Sequence, residues 1–167
     1  MANPVSFDIT SGVDIQEVDN AVNQARKEVA QRYDFKGSRA SIDLNREENT
    51  LTLIADDDFK MNALWEILQG RLVRRGVPTK NLTSGEIERA AKDTVRRIVT
   101  LQQGIPTEAA KEIVKFLKDR KLKKVQVAIQ ADQVRVSSAS KDDLQEAIRV
   151  LREHDFGVAL QFGNYRG

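Results

Sequence analysis

The strongest constraint in this sequence is that one order of elements occurs twice. Leu51, Leu53, Met61, Leu64, Trp65 and Leu68 are answered, at one constant offset, by Val134, Val136, Leu144, Ala147, Ile148 and Leu151. The likeness is one of pattern, not identity. Each set opens with apolar residues two apart, as in a half-buried strand, and continues at spacings of three and four, as on one helix face. The order upstream agrees as well. Ile15, Val18, Val22, Ala25 and Val29 mark an amphipathic helix over Asp14 to Tyr33; Ala110, Ile113, Val114 and Leu117 mark another, with Thr107 as its expected cap. Helix, hairpin, helix and strand, twice over, predict two small α+β sandwiches with helices on one face of an antiparallel sheet.

The hairpins are specific enough to give a register. Ala40, Ile42 and Leu44 alternate with polar residues, as do Leu51, Leu53 and Ala55. A four-residue loop from Arg46 to Asn49 pairs Asn45 with Thr50, so Leu44 faces Leu51 and Ile42 faces Leu53. Val125, Val127 and Ile129 precede a two-residue turn, Ala131-Asp132, after which Val134 and Val136 return on the same face. Ser140 opens the last helix, and a strand from Val158 to about Tyr165 follows it. A first strand is expected over Val5 to Ile9. Between the halves, SGEIERAAKDTVRRIVTLQQG admits two readings. Ser84 caps a helix carrying Ile87, Ala90, Ala91, Val95 and Ile98, which local periodicity slightly prefers. Alternatively, Glu86 to Ala90 and Thr94 to Leu101 are strands joined at Ala91-Lys92-Asp93, which supplies the two strands that a pair of βαββαβ units would otherwise lack.

Composition narrows the chemistry. The 27 Lys plus Arg nearly balance 25 Asp plus Glu, leaving a formal charge of +2, and there is no cysteine. Disulfides, thiolate nucleophiles, cysteine-based zinc sites and iron–sulfur clusters are thereby excluded. No stretch approaches the ~18 consecutive apolar residues of a membrane helix. The opening MANPVSFDIT lacks the layout of a signal peptide, so a cytoplasmic protein with no membrane partner is expected. The one histidine, His154, stands beside Glu153 and Asp155 at a helix end and reads as structural. Asp56, Asp57 and Asp58 read as a helix cap and first-turn acids rather than a Mg²⁺ site. With no glycine-rich phosphate loop and no nucleophile motif, no enzyme activity, catalytic residue, metal or cofactor is expected.

Several longer segments carry a resemblance. SFDI near the start, RYDFKGSRASIDLN after the first helix, LQQGI before the third, KVQVAIQADQVRVSSASKDDLQEAIRVL, and the ending LQFGNYRG together resemble the YajQ family of bacterial nucleotide-binding proteins, in order and spacing over nearly the whole chain. The resemblance implies two tandem ferredoxin-like sandwiches whose first strands are exchanged and which move as one rigid body. Residues 11–101 then form the N-terminal domain, including a swapped-in strand at about 94–101. Residues 102–167 form the C-terminal domain, joined by a strand at about 5–9. Around Ser84 to Arg97 the chain departs from the family, with AAKDTVRRIV where an aromatic-containing strand is usual. The resemblance also implies a nucleotide effector without catalysis, its ligand cyclic di-GMP or another guanine nucleotide. RNA or tRNA binding and a protein-interaction scaffold, with a regulatory protein as partner, are the competing expectations.

Phosphate needs paired cations, and a base needs a flat ring. Arg32, Tyr33, Asp34, Phe35 and Lys36, followed by Gly37, combine both and match the family's helix-to-strand motif. Phe162, Tyr165 and Arg166 in the last strand offer a second set of rings and a cation, with Phe7 beside them if the first strand is swapped. For nucleic acid, the candidates are Lys118, Arg120, Lys121, Lys123 and Lys124, the densest basic run. The hairpin strands 40 to 55 and 125 to 136 contain no aromatic residue, which weakens base stacking on a sheet. Two short patterns found in cyclic di-GMP receptors, Arg71 with Arg75 and Arg152 with Asp155, are frequent enough by chance to carry little weight.

Overall fold

Four stretches with helical apolar spacing are helices in the computed structural model, which describes residues 4–120, 122 and 124–167. In chain order the elements are β1 (Val5–Thr10), α1 (Ile15–Gln31), β2 (Ser41–Asn45), β3 (Thr50–Ala55), α2 (Asp58–Arg74), β4 (Leu82–Ser84), β5 (Glu88–Arg89), β6 (Val95–Leu101), α3 (Thr107–Asp119), β7 (Val125–Gln130), β8 (Gln133–Ser138), α4 (Lys141–Arg152) and β9 (Gln161–Arg166). Three helices begin at side-chain caps: Asp14, Asp57 and Ser140 accept from the backbone N–H of Gln16, Lys60 and Asp143. Among the described residues, no helix is long and apolar enough to cross a membrane.

The chain forms two units, Val13–Gln102 and a second built from Met1–Gly12 with Gln103–Gly167. In the N-terminal unit the sheet order is β2-β3-β6-β4, with β5 also on β6; in the C-terminal unit it is β7-β8-β1-β9. Every pairing is antiparallel. Both orders are those of a ferredoxin-like sandwich, with β6 and β1 filling the place of each unit's first strand. The exchange is fixed by burial. Phe7 and Ile9 of β1 are fully enclosed among Ile113, Leu117, Val134 and Val136, while Val99 and Leu101 of β6 lie in the core of Leu51, Leu53, Leu64 and Leu68.

The register of the first hairpin is Asn45 to Thr50, Leu44 to Leu51 and Ile42 to Leu53; that of the second closes with Gln130 opposite Gln133. Both agree with the alternation in the sequence. The helical reading of Ser84 to Ile98 is overturned. Ser84 ends β4, Lys92 and Asp93 sit at positive φ of 57° and 59°, and β6 runs antiparallel to β3. Helical spacing lost because Val99 and Leu101, two apart, fill a slot in the core, and a run rich in β-branched residues suits a pleated surface. Thr107 is not a cap either: Pro106 holds that position without a side-chain cap bond, and Thr107 is the first helical residue. The last strand begins at Gln161 rather than Val158, which is buried in the approach to it.

Candidate functional site

The first candidate segment is built around a buried ring. After α1, Tyr33–Phe35 make one 3₁₀ turn, and only Phe35 points inward. Arg32 and Lys60 flank that ring with their cationic groups 5.7 and 5.1 Å from its centroid, and the Lys60 ammonium also donates to the Asp34 carbonyl. Gly37 then reverses the chain at a φ of 74°, a conformation that favours glycine. The Ser38 hydroxyl donates to the Asp56 carboxylate, which it holds below the usual carboxylate range, assisted by Arg39. The turn is therefore held at both ends by the start of α2 and the link that leads into it.

Its charged groups are unequal. Arg32 is engaged by a two-point hydrogen bond to Asp34, at 2.9 and 2.8 Å, and by Glu28 at 3.7 Å. The bond from Arg32 lowers the Asp34 carboxyl and raises the guanidinium in return. Lys36 is exposed and forms no ion pair among the described residues. Tyr33 is 87% exposed, the most open large ring in the chain. Beside this turn lies a groove of about 770 Å³, lined by Arg26, Phe35, Lys36, Ser38, Ser41 and Asp43 among others. Arg26 donates through Nε to the Ile42 carbonyl at 3.0 Å and lies 3.4 Å from Asp43. Arg26, Ser38 and Asp43 escape sequence reasoning because they are ordinary polar positions of a helix, a loop and a strand; only the fold brings them to one groove.

Phe162, Tyr165 and Arg166 belong to the C-terminal unit, where Tyr165 and Arg166 line one pocket with Ser6, Lys141 and Ile148 and Phe162 lies outside it. Between Gly163 and Arg166 the pairing of β9 with β1 shifts register, and Asn164 adopts a φ of 53°. Phe162, opposite buried Ile9, already faces the helices, and the bulge turns Tyr165 to the same side. Phe162 packs edge-on against Phe7 at 5.9 Å and carries the Arg152 guanidinium at 5.4 Å, while Tyr165, 6.2 Å from Phe7, remains 60% exposed. On the opposite face, Asp8 accepts from Arg135 at 2.9 Å and from Asn164 at 2.5 Å. Arg135 chiefly holds its carboxyl low, and Arg166 adds a weaker attraction.

The basic run is only partly described. Lys118 is exposed in the last turn of α3, Arg120 caps that helix with its guanidinium 4.8 Å over Phe116, and Lys124 is exposed just ahead of β7. Lys121 and Lys123 lie outside the described residues. The two short arginine patterns are occupied by the fold: Arg71 binds Glu28 at 2.9 Å, Arg75 binds Glu17 at 2.7 Å, Arg152 covers Phe162, and Asp155 accepts from Gly157 N–H at 2.8 Å. His154 forms a three-ring cluster with Phe116 and Phe156 and lies 3.2 Å from Glu112.

A family model described as "Nucleotide-binding protein YajQ-like" matches residues 5–166. A protein named nucleotide-binding protein from Geotalea uraniireducens (strain Rf4) is 52% identical over 161 residues, covering 96% of this chain and 98% of its own. One of the same name from Desulfitobacterium hafniense (strain DSM 10664 / DCB-2) is 52% identical over 166 residues, 99% of this chain and 100% of its own. A third, from Carboxydothermus hydrogenoformans, is 49% identical over the same coverage. Matched by that model across both sheets and about half identical to these relatives from end to end, the chain belongs to the YajQ-like nucleotide-binding protein family.

Proposed function

We propose that this chain is a cytoplasmic effector that binds a guanine nucleotide, cyclic di-GMP foremost, at the Arg32–Lys36 turn and its groove, and releases it unchanged. The observation that carries this reading is the pairing of an open ring with an unengaged cation on an anchored turn: Tyr33 and Lys36 on either side of buried Phe35. Tyr33 offers a stacking plane, Lys36 a phosphate contact, and Asp43 a carboxylate of the kind that accepts the two N–H groups on the guanine edge. Arg32 serves differently, as the brace that keeps Asp34 and the turn in place. The resemblance supports the choice of guanine; the turn supports the location.

A nucleic-acid reading has less support, since the rings of β1 and β9 face the helices and the open sheet faces present none among the described residues. Calorimetric titration of cyclic di-GMP, GTP, tRNA and a random single strand at two salt concentrations separates the readings. Nucleic-acid binding falls steeply with salt because it releases several counterions, whereas a ligand with two phosphates responds far less. Lys36→Ala is expected to weaken cyclic di-GMP about ten-fold, as for one charge-assisted hydrogen bond lost, with Lys124→Ala close to neutral. Unchanged affinity in folded Lys36→Ala protein would move the site off this turn. Chromatography of the nucleotide after prolonged incubation tests the absence of turnover.

A further inference from the structure

The four sheet edges of the two units are not protected alike. Edge strands offer unpaired N–H and C=O groups, which proteins guard with charge, bulges, brevity or cover. On β2, the Arg26 guanidinium occupies the Ile42 carbonyl and Asp43 adds charge. On the opposite side of that sheet, β4 has three residues and β5 two. In the C-terminal unit, β9 is bulged at Gly163 and Asn164. Among the described residues, the remaining edge, β7, has none of these devices. Its six residues, Val125 to Gln130, are uncharged and free of Gly and Pro, their register with β8 is unbroken, and Ile129 is 43% exposed.

The open groups can be assigned. A two-residue turn closes with Gln130 and Gln133 exchanging both hydrogen bonds, so Gln126, Ala128 and Gln130 bond to β8 and the backbone of Val125, Val127 and Ile129 points outward. Val125 N–H is taken by the Leu122 carbonyl at 3.0 Å, which leaves the N–H groups of Val127 and Ile129 as open donors. Cations frame this edge. Glu112 and Phe116 turn toward His154, so helical spacing puts the exposed Lys111 and Lys118 on the side of α3 away from them, α3 itself packs on β7, and Lys124 immediately precedes the strand.

We propose that β7 is a docking edge for an extended peptide segment of a partner protein, one with alternating apolar side chains and carboxylates at its ends, which adds as a fifth strand. Charge complementarity selects this occupant. A second copy of the chain would bring two identical sets of Lys111, Lys118 and Lys124 to one seam, where like charges oppose pairing.

The probe is a synthetic, dye-labelled peptide of alternating valine and threonine with paired glutamates at both ends, titrated against the full chain by fluorescence anisotropy. Saturable binding is expected, with slowed amide exchange at Val127 and Ile129. The same peptide ending in lysines should bind at least about ten-fold more weakly, and one N-methylated throughout its core should not bind, since the added strand must exchange backbone hydrogen bonds. Ile129→Pro removes an outward donor that the β8 ladder does not use, and should weaken binding at least about ten-fold in protein of unchanged circular dichroism. If that variant does not fold, the N-methylated peptide on the unaltered chain still decides. Equal affinity for both end charges, protection elsewhere than β7, or no binding would overturn the proposal. So would concentration-dependent dimerisation that Ile129→Pro abolishes, because the edge would then serve a second copy.

Discussion

In the N-terminal unit guanidinium–carboxylate pairs, Arg71 to Glu28 and Arg75 to Glu17, bridge the rim of the two helices, whereas in the C-terminal unit rings join α3 to the segment after α4, Phe116 with His154 and Phe156. The sheets reverse the contrast. The outer face of the C-terminal sheet encloses Asp8 between Arg135 and Asn164, while on the N-terminal sheet Arg96 is half-buried and its partner Glu88 is exposed. One topology therefore carries two distributions of charge and aromatic surface. Where the rings are spent on packing, as Phe7, Phe116, Phe156 and Phe162 are, few remain for a ligand; where ion pairs bridge the helices, Tyr33 is left open. The fold fixes the layers, and the loops decide the chemistry.

The largest expected effect breaks the ring-based packing at its centre. Phe7→Ala removes a fully enclosed ring in contact with Phe162 and Tyr165, and is expected to cost about 3–5 kcal/mol by urea denaturation. Amide exchange should then accelerate first in β8 and β9, the two neighbours of β1. Faster exchange confined to β2 and β3 would mean that Phe7 does not organise the C-terminal sheet.

A smaller effect sharpens the contrast between the sheet faces. Asp8→Ala leaves Asn164 without its acceptor and Arg135 without its carboxylate, a loss of about 1–2 kcal/mol because Arg135 keeps access to water. The pH dependence follows from the Arg135 hydrogen bond, which holds the folded carboxyl below its unfolded value. A depressed carboxylate contributes stability that is complete above the unfolded value, about 3.9, and is lost as pH falls through the folded one. The stability difference between the chain and Asp8→Asn should therefore be constant at neutral pH and shrink below about pH 4. A difference that grew on acidification would contradict the pairing.

Legibility in the sequence follows locality. Both hairpin registers could be read because alternation and loop length fix them within a dozen residues, and the caps at Asp57 and Ser140 are similarly local. Ser84 to Ile98 misleads because its apolar residues keep helical spacing while the buried pair two apart, Val99 and Leu101, lies just beyond it, and only pairing of β6 with β3, some forty residues away, decides for the strand. At the candidate site, the Arg32–Lys36 segment is visible as a cluster of rings and charges. Which cation is engaged is not, since the Arg32–Asp34 lock depends on a 3₁₀ turn that only the burial of Phe35 explains. Asp8 reads as an ordinary polar strand position; its enclosure needs a bulge in a strand at the far end of the chain.

The smallest effect is that of the helix-layer ion pairs, and it is diagnostic because it should depend on salt. Arg71 and Arg75 project one turn apart from α2 and meet Glu28 and Glu17, one near each end of α1, with side chains about one-third exposed. At that exposure each pair is worth about 0.5–1 kcal/mol at low ionic strength, so Arg71→Ala and Arg75→Ala should each shift the urea midpoint only slightly. Added salt should shrink the difference from the unaltered chain, because mobile ions compete for the same charges. Phe156→Ala, in the ring-based layer, should instead cost more and keep its cost in salt, since burial of an apolar ring does not screen. A salt-independent loss in the arginine variants would show that their aliphatic stems, packed along the helices, hold the layer rather than their charges.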